Sequence, residues 1–338
     1  MTPSSFTPPT AADVPRIPVG IGACLLGHPV RYNGSHKKGS TVLDRLATVF
    51  DFRPFCPEMA IGLGVPRPTI RLVGPAGADT EQSVLRAVDS DTGLRDVSAP
   101  LREYGTTVAR GDAERGGSLY GYVLVKGSPS CGYERVKRYS ETGTMQPADA
   151  SGLFAEALMA ANPLLPVEED GRLHDERLCE SFVARVFTYW QWQQLCRQEL
   201  THQAVLKFYA RHKYLVMSRH VPTYRALGRL LADARREPIA QLAPQVIALI
   251  LDALKRPATR SGHTNTLEHI RGYLKHKISA DEKSELGDVI EQYRQGVVPL
   301  IVPLTLLRHF FRRYPDAYIE QQVFMQPYPD LLSLRNAL

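Results

Sequence analysis

Leu119–Gly132 has the sequence LYGYVLVKGSPSCG, a run of strand-forming residues that leads directly into a loop of glycine, proline and serine. Continuous apolar and aromatic residues over Leu119–Val125 are typical of a strand buried on both faces. The loop Lys126–Gly132 then places Cys131 just beyond the carboxyl end of that strand. This stretch therefore predicts a central strand and a cysteine at the edge of its sheet.

Two earlier segments have the same arrangement of a short strand and a cysteine. Pro18–Leu26 (PVGIGACLL) is an apolar run with Cys24 near its end, and Phe52–Cys56 is a β-prone stretch that Pro57 stops. Ligands bind beyond the carboxyl ends of the strands in an open parallel sheet. The three thiols are therefore expected to converge on one edge of a sheet.

The rest of the first half alternates strands with helices. Ile70–Val73 is strand-like, and helices are predicted at Ser40–Phe50, Thr80–Thr92, Pro100–Tyr104 and Gly152–Ala161. This alternation favours an α/β domain with a parallel, Rossmann-like sheet.

The polar stretch Val167–Leu173 (VEEDGRL) is interpreted as a domain boundary, because helical periodicity follows it. A long helical period covers Asp175–Phe208. Further helices are predicted at Tyr224–Arg235, Ala243–Lys255, Thr264–His276, Ala280–Gln295 and Val302–Tyr314. The sequence therefore predicts a disordered leader (1–15), an α/β domain (16–166) and an all-α domain (175–338).

The bulk composition is that of a globular protein. Its 338 residues suffice for two domains, and 43% hydrophobic and 22% charged residues are ordinary values. No apolar run reaches the roughly 20 residues that span a bilayer, and the N-terminus lacks the order of a secretory signal. A cytoplasmic protein without membrane association is expected. The odd number of cysteines, 5, argues against a disulfide framework.

The charge is distributed unevenly along the chain. Residues 1–170 contain 17 Lys and Arg against 19 Asp and Glu, a net charge of −2, whereas residues 171–338 contain 24 against 16, a net charge of +8. A basic half suggests a polyanionic partner. A surface that only maintains solubility explains the charge equally well.

The cysteines have the chemistry of ligands for a soft metal centre. Thiolates favour iron–sulfur clusters or zinc over hard cations. The separations of Cys24, Cys56 and Cys131 match no compact ligand motif, so on spacing alone each is more easily explained as a packed core residue. The Pro, Gly and Ser residues around Cys56 and Cys131 favour a functional site. Cys179 and Cys196 lie on helical patterns and are interpreted as core or surface thiols.

Polar side chains beside the cysteines supply further candidate groups. Glu58 follows Cys56 by two residues and can serve as a general acid or base. Ser128 and Ser130 flank Pro129, where hydroxyl groups can bind a base edge or a leaving atom. Taken in isolation, such residues are more often a solvated carboxylate and turn-forming serines.

Four motifs in this order resemble the thiouracil desulfidase family. They are VGIGACLLGHPVRYN at Val19–Asn33, CPE at Cys56–Glu58, GLGVPRP at Gly62–Pro68 and SPSCG at Ser128–Gly132. The resemblance covers roughly the first 160 residues. It departs from the family pattern at Lys126-Gly127, where a serine followed by an arginine is expected.

The resemblance implies a [4Fe–4S] cluster with three protein ligands, Cys24, Cys56 and Cys131, and an open fourth iron that takes the sulfur of the substrate. It implies a non-redox hydrolysis of a thiocarbonyl to a carbonyl and sulfide. Glu58 and Ser128 match the catalytic residues of the family. An open iron is a soft Lewis acid, so Glu58 would shuttle protons for the attacking water while Ser128 orients the base.

The second half resembles a helical domain that is often fused to these desulfidases. The matching stretches are LKFYARHKYLVMSR at Leu206–Arg219, HTNTLEHIRGYLKHKIS at His263–Ser279, YRQGVVPLIVPLTLLRHF at Tyr293–Phe310 and QPYPDLLSLR at Gln326–Arg335. Desulfidases with this domain are similar to those that act on 4-thiouridine in tRNA, which implies tRNA as the partner. A base buried in tRNA must be flipped out to react.

Basic and aromatic residues alternate in this half at helix-compatible spacings. The two groups are Lys207, Arg211, His212 and Lys213, and His269, Arg271, Tyr273, Lys275 and His276. Such mixtures suit phosphates and unstacked bases. Lys207, Arg211, Lys213, Arg271 and Lys275 are therefore predicted to contact RNA. Taken one by one, these cations are usually the solvated face of a helix, and the His and Tyr residues are equally consistent with core positions.

Three alternatives remain open at this point. The enzyme can act on free thiouracils, with the helical half as a structural partner. The protein can be a non-catalytic RNA-binding or redox-sensing protein, whose cluster would have four protein ligands. The cysteines can also form a structural zinc site with a carboxylate as the fourth ligand. The sequence does not determine the oligomeric state.

Overall fold

The computed structural model describes residues 16–74, 85–111 and 117–338. These residues belong to two compact units, which divide between His174 and Asp175. The predicted leader (1–15) lies outside the described residues. In the described ranges, no helix is both long enough and apolar enough to cross a membrane.

The first unit is built on a parallel sheet. Its strands are β1 (Ile17–Gly22), β2 (Phe50–Phe55), β3 (Ile70–Val73), β4 (Arg86–Asp89), β5 (Tyr122–Leu124), β6 (Arg138–Tyr139) and β7 (Val167–Glu169). The larger sheet has the order β2-β1-β5-β7, and all of its neighbouring pairs are parallel. The predicted α/β class is therefore confirmed, with β1 and β5 at the centre of the sheet.

The helices of this unit are α1 (Thr41–Leu46), α2 (Pro57–Ala60), α3 (Ser98–Arg110) and α4 (Leu153–Ala161). The predicted helix at Ser40–Phe50 is longer than α1, because Phe50 already belongs to β2. The helix predicted at Pro100–Tyr104 is correct in position but continues to Arg110.

The helix predicted at Thr80–Thr92 is wrong at Arg86–Asp89, which forms β4, whereas residues 75–84 lie outside the described residues. β4 pairs antiparallel with β3, and β3 pairs parallel with β6, so these strands form a small second sheet. The carboxylate of Asp89 accepts the backbone N–H of Thr92 at 2.6 Å and so turns the chain at the end of β4. Pairing with β3 outweighs the local helical pattern.

The polar stretch Val167–Leu173 contains a strand that the sequence did not reveal. Its first residues form β7, the edge strand beside β5, in which Glu168 and Glu169 are buried. The guanidinium of Arg172 donates to the Glu168 carboxylate at 2.7 Å, which compensates the buried charge. The first unit therefore continues past residue 166, the end that the sequence predicted for it.

Aromatic packing joins the sheet to α4. The ring of Tyr122 is fully buried, and its centroid lies 5.8 Å from Phe55 and 5.7 Å from Phe154. Phe55 ends β2 and Phe154 lies in the first turn of α4. Contacts of this kind stabilise a core beyond the burial of apolar area, and these three rings keep the end of β2 and the start of β5 close to α4.

The loop of residues 128–132 rests on the N-terminus of α4. The first N–H groups of a helix have no acceptor within the helix. Here the N–H of Leu153 donates to the Pro129 carbonyl at 3.1 Å, and that of Phe154 donates to the Ser130 carbonyl at 3.0 Å. Gly152 permits this approach, because a Cβ there would lie 2.4 Å from the Ser130 carbonyl oxygen.

The second unit is helical, as predicted. Its helices are α5 (Glu176–Cys196), α6 (His202–Arg219), α7 (Val221–Ala232), α8 (Ile239–Lys255), α9 (Arg260–Arg271), α10 (Ala280–Gln295), α11 (Ile301–Arg313) and α12 (Ala317–Glu320). The long period predicted over Asp175–Phe208 is two helices, since the Thr201 side chain accepts the Ala204 N–H and begins α6. The predicted bounds of α10 are confirmed.

We expect Gly152→Ala to lower the free energy of unfolding by about 1–3 kcal/mol, because the added Cβ forces the loop of residues 128–132 off α4. Gly228→Ala in α7 is the matched control, since a Cβ at Gly228 meets no atom within 4 Å. Urea unfolding followed by circular dichroism measures both variants. Unchanged stability of Gly152→Ala would mean that the loop does not require this close contact.

Candidate functional site

The three predicted cysteines line one cavity of about 300 Å³. Cys24 lies in a 3₁₀ turn directly after β1, Cys56 follows β2, and Cys131 lies in the loop after β5. Cys131 is buried and the other two are partly exposed. The structure thus brings together, at the carboxyl ends of three parallel strands, the residues that were expected to converge there.

The surroundings of the cysteines oppose the loss of their protons. Burial raises the pKa of Cys24, raises the pKa of Cys56 to about 11, and raises the pKa of Cys131 well above its ordinary value. The nearby carboxylate of Glu58 adds to the shift in every case. Because metal ligation requires thiolates, the positive charge of a bound metal centre is what would deprotonate these groups.

Three soft thiolates suit an iron–sulfur cluster, and a cluster places different demands on their geometry than a single ion does. In the parts of the chain that the structure describes, no three His, Cys, Asp or Glu side chains are arranged to hold one metal ion. The zinc alternative, in which three thiolates and a carboxylate share one ion, requires all four groups to meet at a single point. Each thiolate of an iron–sulfur cluster binds its own iron, so its ligands need not meet at a single point.

The carboxylate of Glu58 is held from two sides. Arg67 Nη2 donates to Oε2 at 2.6 Å, and Ser130 Oγ donates to Oε1 at 2.5 Å. The Arg67 side chain is only 4% exposed and also donates to the carbonyl oxygens of Val30 and Gly64. The position of Glu58 is therefore set by the protein before any substrate is bound.

A chain of hydroxyl groups connects Glu58 to Ser128. Ser130 has one hydroxyl proton, which it donates to Glu58, so Ser128 is the donor in the 2.9 Å contact between the two serines. Ser128 Oγ also accepts the N–H of Cys131 at 3.2 Å and lies 3.4 Å from its Sγ. The two predicted catalytic residues are thus linked through Ser130.

Arg67 is absent from the residues predicted from the sequence to act in the site. The available signal was its position as the lone charge in the loop GLGVPRP at Gly62–Pro68. A charge isolated in an apolar, proline-rich loop usually has a specific partner, and here that partner is Glu58.

Cations and one aromatic ring surround the mouth of the cavity. Lys37 pairs with Asp170 at 3.1 Å, whereas Arg31 and Lys126 are exposed and form no ion pair with any residue that the structure describes. Asp170 also accepts the backbone N–H of Lys126 at 2.8 Å. Tyr32 is 42% exposed, and its ring centroid lies 5.8 Å from the Arg31 guanidinium. Lys126, where the sequence departs from the family pattern, therefore adds a positive charge to the mouth.

The cations predicted to contact RNA lie in different surroundings within the helical unit. Lys207 and Arg211 are exposed on α6, and Lys275 is exposed after α9. Arg271 forms an ion pair at 2.8 Å with the glutamate three residues before it. Lys213 is half-buried among tyrosine rings.

The aromatic groups named with these cations divide between core and surface. His212 is fully buried, its Nδ1 bonds the Phe208 carbonyl at 2.8 Å, and burial lowers its pKa to about 4. His212 therefore occupies a core position, whereas His269 and His276 are exposed. The remaining thiols are as interpreted from the helical pattern, since Cys179 is buried and Cys196 is exposed.

Comparison with known proteins gives separate family matches for the two halves of the chain. Residues 19–170 match a family model described as 2-thiouracil desulfurase, and residues 213–329 match one described as a protein of unknown function, DUF1722. The uncharacterized protein YbgA of Escherichia coli (strain K12) is 30% identical over 163 residues, which are 48% of this chain and 96% of YbgA. The chain belongs to the family of YbgA. Its residues 19–170 form a 2-thiouracil desulfurase domain, so the family resemblance of the sequence motifs is confirmed.

A solved structure is also similar to part of the chain. The [4Fe-4S]-dependent thiouracil desulfidase TudS is 29% identical to it, and the similarity covers 48% of this chain and 94% of that one, with a TM-score of 0.35.

We expect Arg67→Met to lower the free energy of unfolding by about 2 kcal/mol, because it leaves the Glu58 carboxylate without its cation in a largely buried position. The expected loss of stability is smaller than that for breaking a fully buried ion pair, since the Glu58 side chain is 18% exposed. Urea unfolding measures the effect, and Arg31→Met serves as the exposed control.

The double variant Glu58→Gln/Arg67→Met should recover part of this loss, because it removes both charges together. Glu58→Gln alone completes this double-mutant cycle. If the changes in the free energy of unfolding of the two single variants add up to that of the double variant, the ion pair does not couple the residues, and Arg67 acts only through its contacts with carbonyl groups.

Proposed function

We propose that this protein is a tRNA 4-thiouridine desulfidase, which hydrolyses the thiocarbonyl of the modified base to a carbonyl and releases sulfide. The observation that carries the proposal is the convergence of Cys24, Cys56 and Cys131 with Glu58 on one cavity of a 2-thiouracil desulfurase domain. The reaction class is taken from that domain. The charges described below favour a substrate that carries phosphates, and 4-thiouridine in tRNA is the substrate of that kind that the resemblance of the sequence implies.

The cysteines would hold a [4Fe–4S] cluster with three protein ligands, and an iron without a protein ligand would supply a soft Lewis acid for the sulfur of the substrate. The count of cysteines supports three ligands. The sequence has 5 cysteines, and Cys179 and Cys196 belong to the helical unit. The redox-sensing alternative requires four protein ligands, and the first unit has no fourth cysteine to supply the last of them.

Side chains of the first unit supply the proton transfers that hydrolysis requires. Water adds to the thiocarbonyl carbon and sulfide leaves, so a proton must pass from the water to the departing sulfur. Glu58 lies beside Cys56, with the Sγ 3.9 Å from its carboxylate, and is fixed by Arg67 and Ser130. It is therefore placed to accept the proton of the water and return it to the sulfide.

Ser128 is placed to orient the base. The N–H groups of Ser130 and Cys131 both donate to its Oγ, at 3.3 and 3.2 Å, which leaves the hydroxyl proton as the group that can turn toward a polar atom of the substrate. Exchange of its partner from Ser130 to the base costs little, because one hydrogen bond replaces another.

Two features favour a substrate that carries phosphates over a free base. Arg31 and Lys126 are exposed at the mouth of the cavity and form no ion pair with a carboxylate of the described residues, and a neutral base offers them no charge. Residues 171–338 carry a net charge of +8, which suits a polyanion. Tyr32 lines the same cavity and is exposed, so its ring offers a face on which a base can stack.

Desulfidation of free thiouracils is the second candidate, because the family model that matches residues 19–170 is named for 2-thiouracil. The +8 charge of the other half then has no role in the reaction.

The deciding experiment compares sulfide release by the anaerobically purified full chain from tRNA that contains 4-thiouridine and from free 4-thiouracil. We expect kcat/KM to be at least about tenfold higher on tRNA at low salt and to fall with rising salt on tRNA alone, because phosphate contacts are screened. Glu58→Gln is the inactive control, with retained iron and a loss of about 10²–10⁴-fold on both substrates. Turnover of the free base with none on tRNA would refute the proposal.

We further expect Cys24→Ala, Cys56→Ala and Cys131→Ala each to lower the iron content and to abolish sulfide release, because each removes one of the three thiolates. Cys179→Ala and Cys196→Ala are the controls and should match wild type. Iron and acid-labile sulfide per chain, with the cluster absorbance, provide the measurement. Full iron content in any of the first three variants would remove that cysteine from the ligand set.

A further inference from the structure

A cleft in the helical unit combines positive charges with aromatic rings. It lies among α6, α7 and α12 and has a volume of about 810 Å³. We call it the tyrosine cleft, and its polar lining consists of Lys213, Arg225, Arg229, Tyr209, Tyr224 and Tyr318. It is separate from the cavity of the cysteines, which belongs to the other unit.

The cations of the tyrosine cleft are not neutralised. Its lining includes no acidic side chain, and no carboxylate in the described residues forms an ion pair with Lys213, Arg225 or Arg229. Arg225 and Arg229 are separated by one helical turn of α7 and therefore share a face. The cleft presents three positive charges to an anionic ligand.

Aromatic rings hold the Lys213 ammonium in place. Its Nζ lies 5.6 Å from the ring centroid of Tyr214, 5.8 Å from that of Tyr224 and 6.0 Å from that of Tyr318. The ring of Tyr318 is itself stacked on Tyr273, with centroids 5.8 Å apart and planes 23° apart. Cation–π contacts orient an ammonium without cancelling its charge, so Lys213 remains able to bind a phosphate.

Gly228 leaves space along the cleft. It lies within α7 and is exposed, and a Cβ there would have no neighbour within 4 Å. Glycine inside a helix is destabilising relative to alanine, so packing within the protein does not explain this residue. The missing side chain leaves room for a ligand to approach the backbone of α7.

A second large cleft of the helical unit is less suited to a polyanion. It has a volume of about 890 Å³ and includes Arg211 and Arg312. Asp330 also lines it and pairs with Arg308 at 2.8 Å, and Glu320 adds another negative charge. The tyrosine cleft is therefore the better candidate for binding a polyanion, because no carboxylate lines it.

We propose that the tyrosine cleft binds an unpaired segment of RNA, with phosphates on Lys213, Arg225 and Arg229 and one unstacked base on Tyr224. Positive grooves with aromatic faces bind single-stranded nucleic acid in this way, because every base has a face that can stack. The identification of that RNA as tRNA rests on the proposed function. Of the five cations predicted from the sequence to contact RNA, Lys213 is the one that lines this cleft.

The test measures binding by fluorescence anisotropy, with the full chain carrying its metal centre, on unmodified tRNA and on a short oligouridine. Arg225→Gln/Arg229→Gln should weaken both affinities about tenfold or more and should lower the slope of log affinity against log salt by about 1.4, which corresponds to two lost phosphate contacts on a single strand. Lys255→Gln/Lys283→Gln removes two charges from exposed positions of α8 and α10 and should bind as wild type.

Two further pairs of variants test the contributions of base stacking and of open space in the cleft, independently of its charge. Tyr224→Ala should weaken binding about tenfold, whereas Tyr224→Phe keeps the ring and should remain within about twofold of wild type. Gly228→Leu fills the cleft and should weaken binding, whereas Gly228→Ala should not. Since Gly228 has no neighbour, both variants should fold, and circular dichroism and turnover of free 4-thiouracil verify this for every variant.

The outcomes distinguish this inference from the proposed function. If all cleft variants bind both RNAs as tightly as wild type, the inference is wrong even where wild type desulfurates tRNA. If the cleft variants lose RNA binding while wild type releases no sulfide from thiolated tRNA, the RNA cleft stands and the proposed function fails. Loss of tRNA binding with unchanged oligouridine binding would overturn the assignment to an unpaired segment.

Discussion

The hydrogen bonds between the first turn of α4 and the loop of residues 128–132 are the contact on which the rest of the site depends. They fix the backbone of Ser130, which carries the hydroxyl that reaches Glu58. The same loop places Ser128 and Cys131 within 3.4 Å of each other. The N–H groups at the start of α4 need hydrogen-bond acceptors, and the loop that supplies them is thereby fixed in the conformation that positions Ser128, Ser130 and Cys131.

The sequence reveals those parts of this site that depend on local pattern. A cysteine directly after a strand can be recognised in the sequence itself. The rule that parallel sheets bind ligands at the carboxyl ends of their strands then indicates that such cysteines lie close together in the fold. For this reason the convergence of Cys24, Cys56 and Cys131 could be predicted. Helices with regular apolar spacing and clear caps, such as α10, could be predicted for the same reason.

The features that escaped prediction depend on partners far away in the chain. The hydrogen bond between Ser130 and Glu58 joins residues 72 positions apart, and no local pattern indicates it. β4 and β7 are short and polar for strands, and their neighbours in the two sheets, β3 and β5, decide their conformation. Arg67 is visible as an isolated charge, but its role follows only from the fold that brings it to Glu58.

The edge position of β7 has a consequence for the order of events during synthesis. Domains fold from the N-terminus as the chain leaves the ribosome, but β5 keeps one unpaired edge until Val167–Glu169 has emerged. An open edge is a template for pairing with another chain. The sheet therefore gains its last strand only a few residues before the helical unit begins to appear, and until that moment the apolar strand β5 stands at the edge in place of the short, acidic β7.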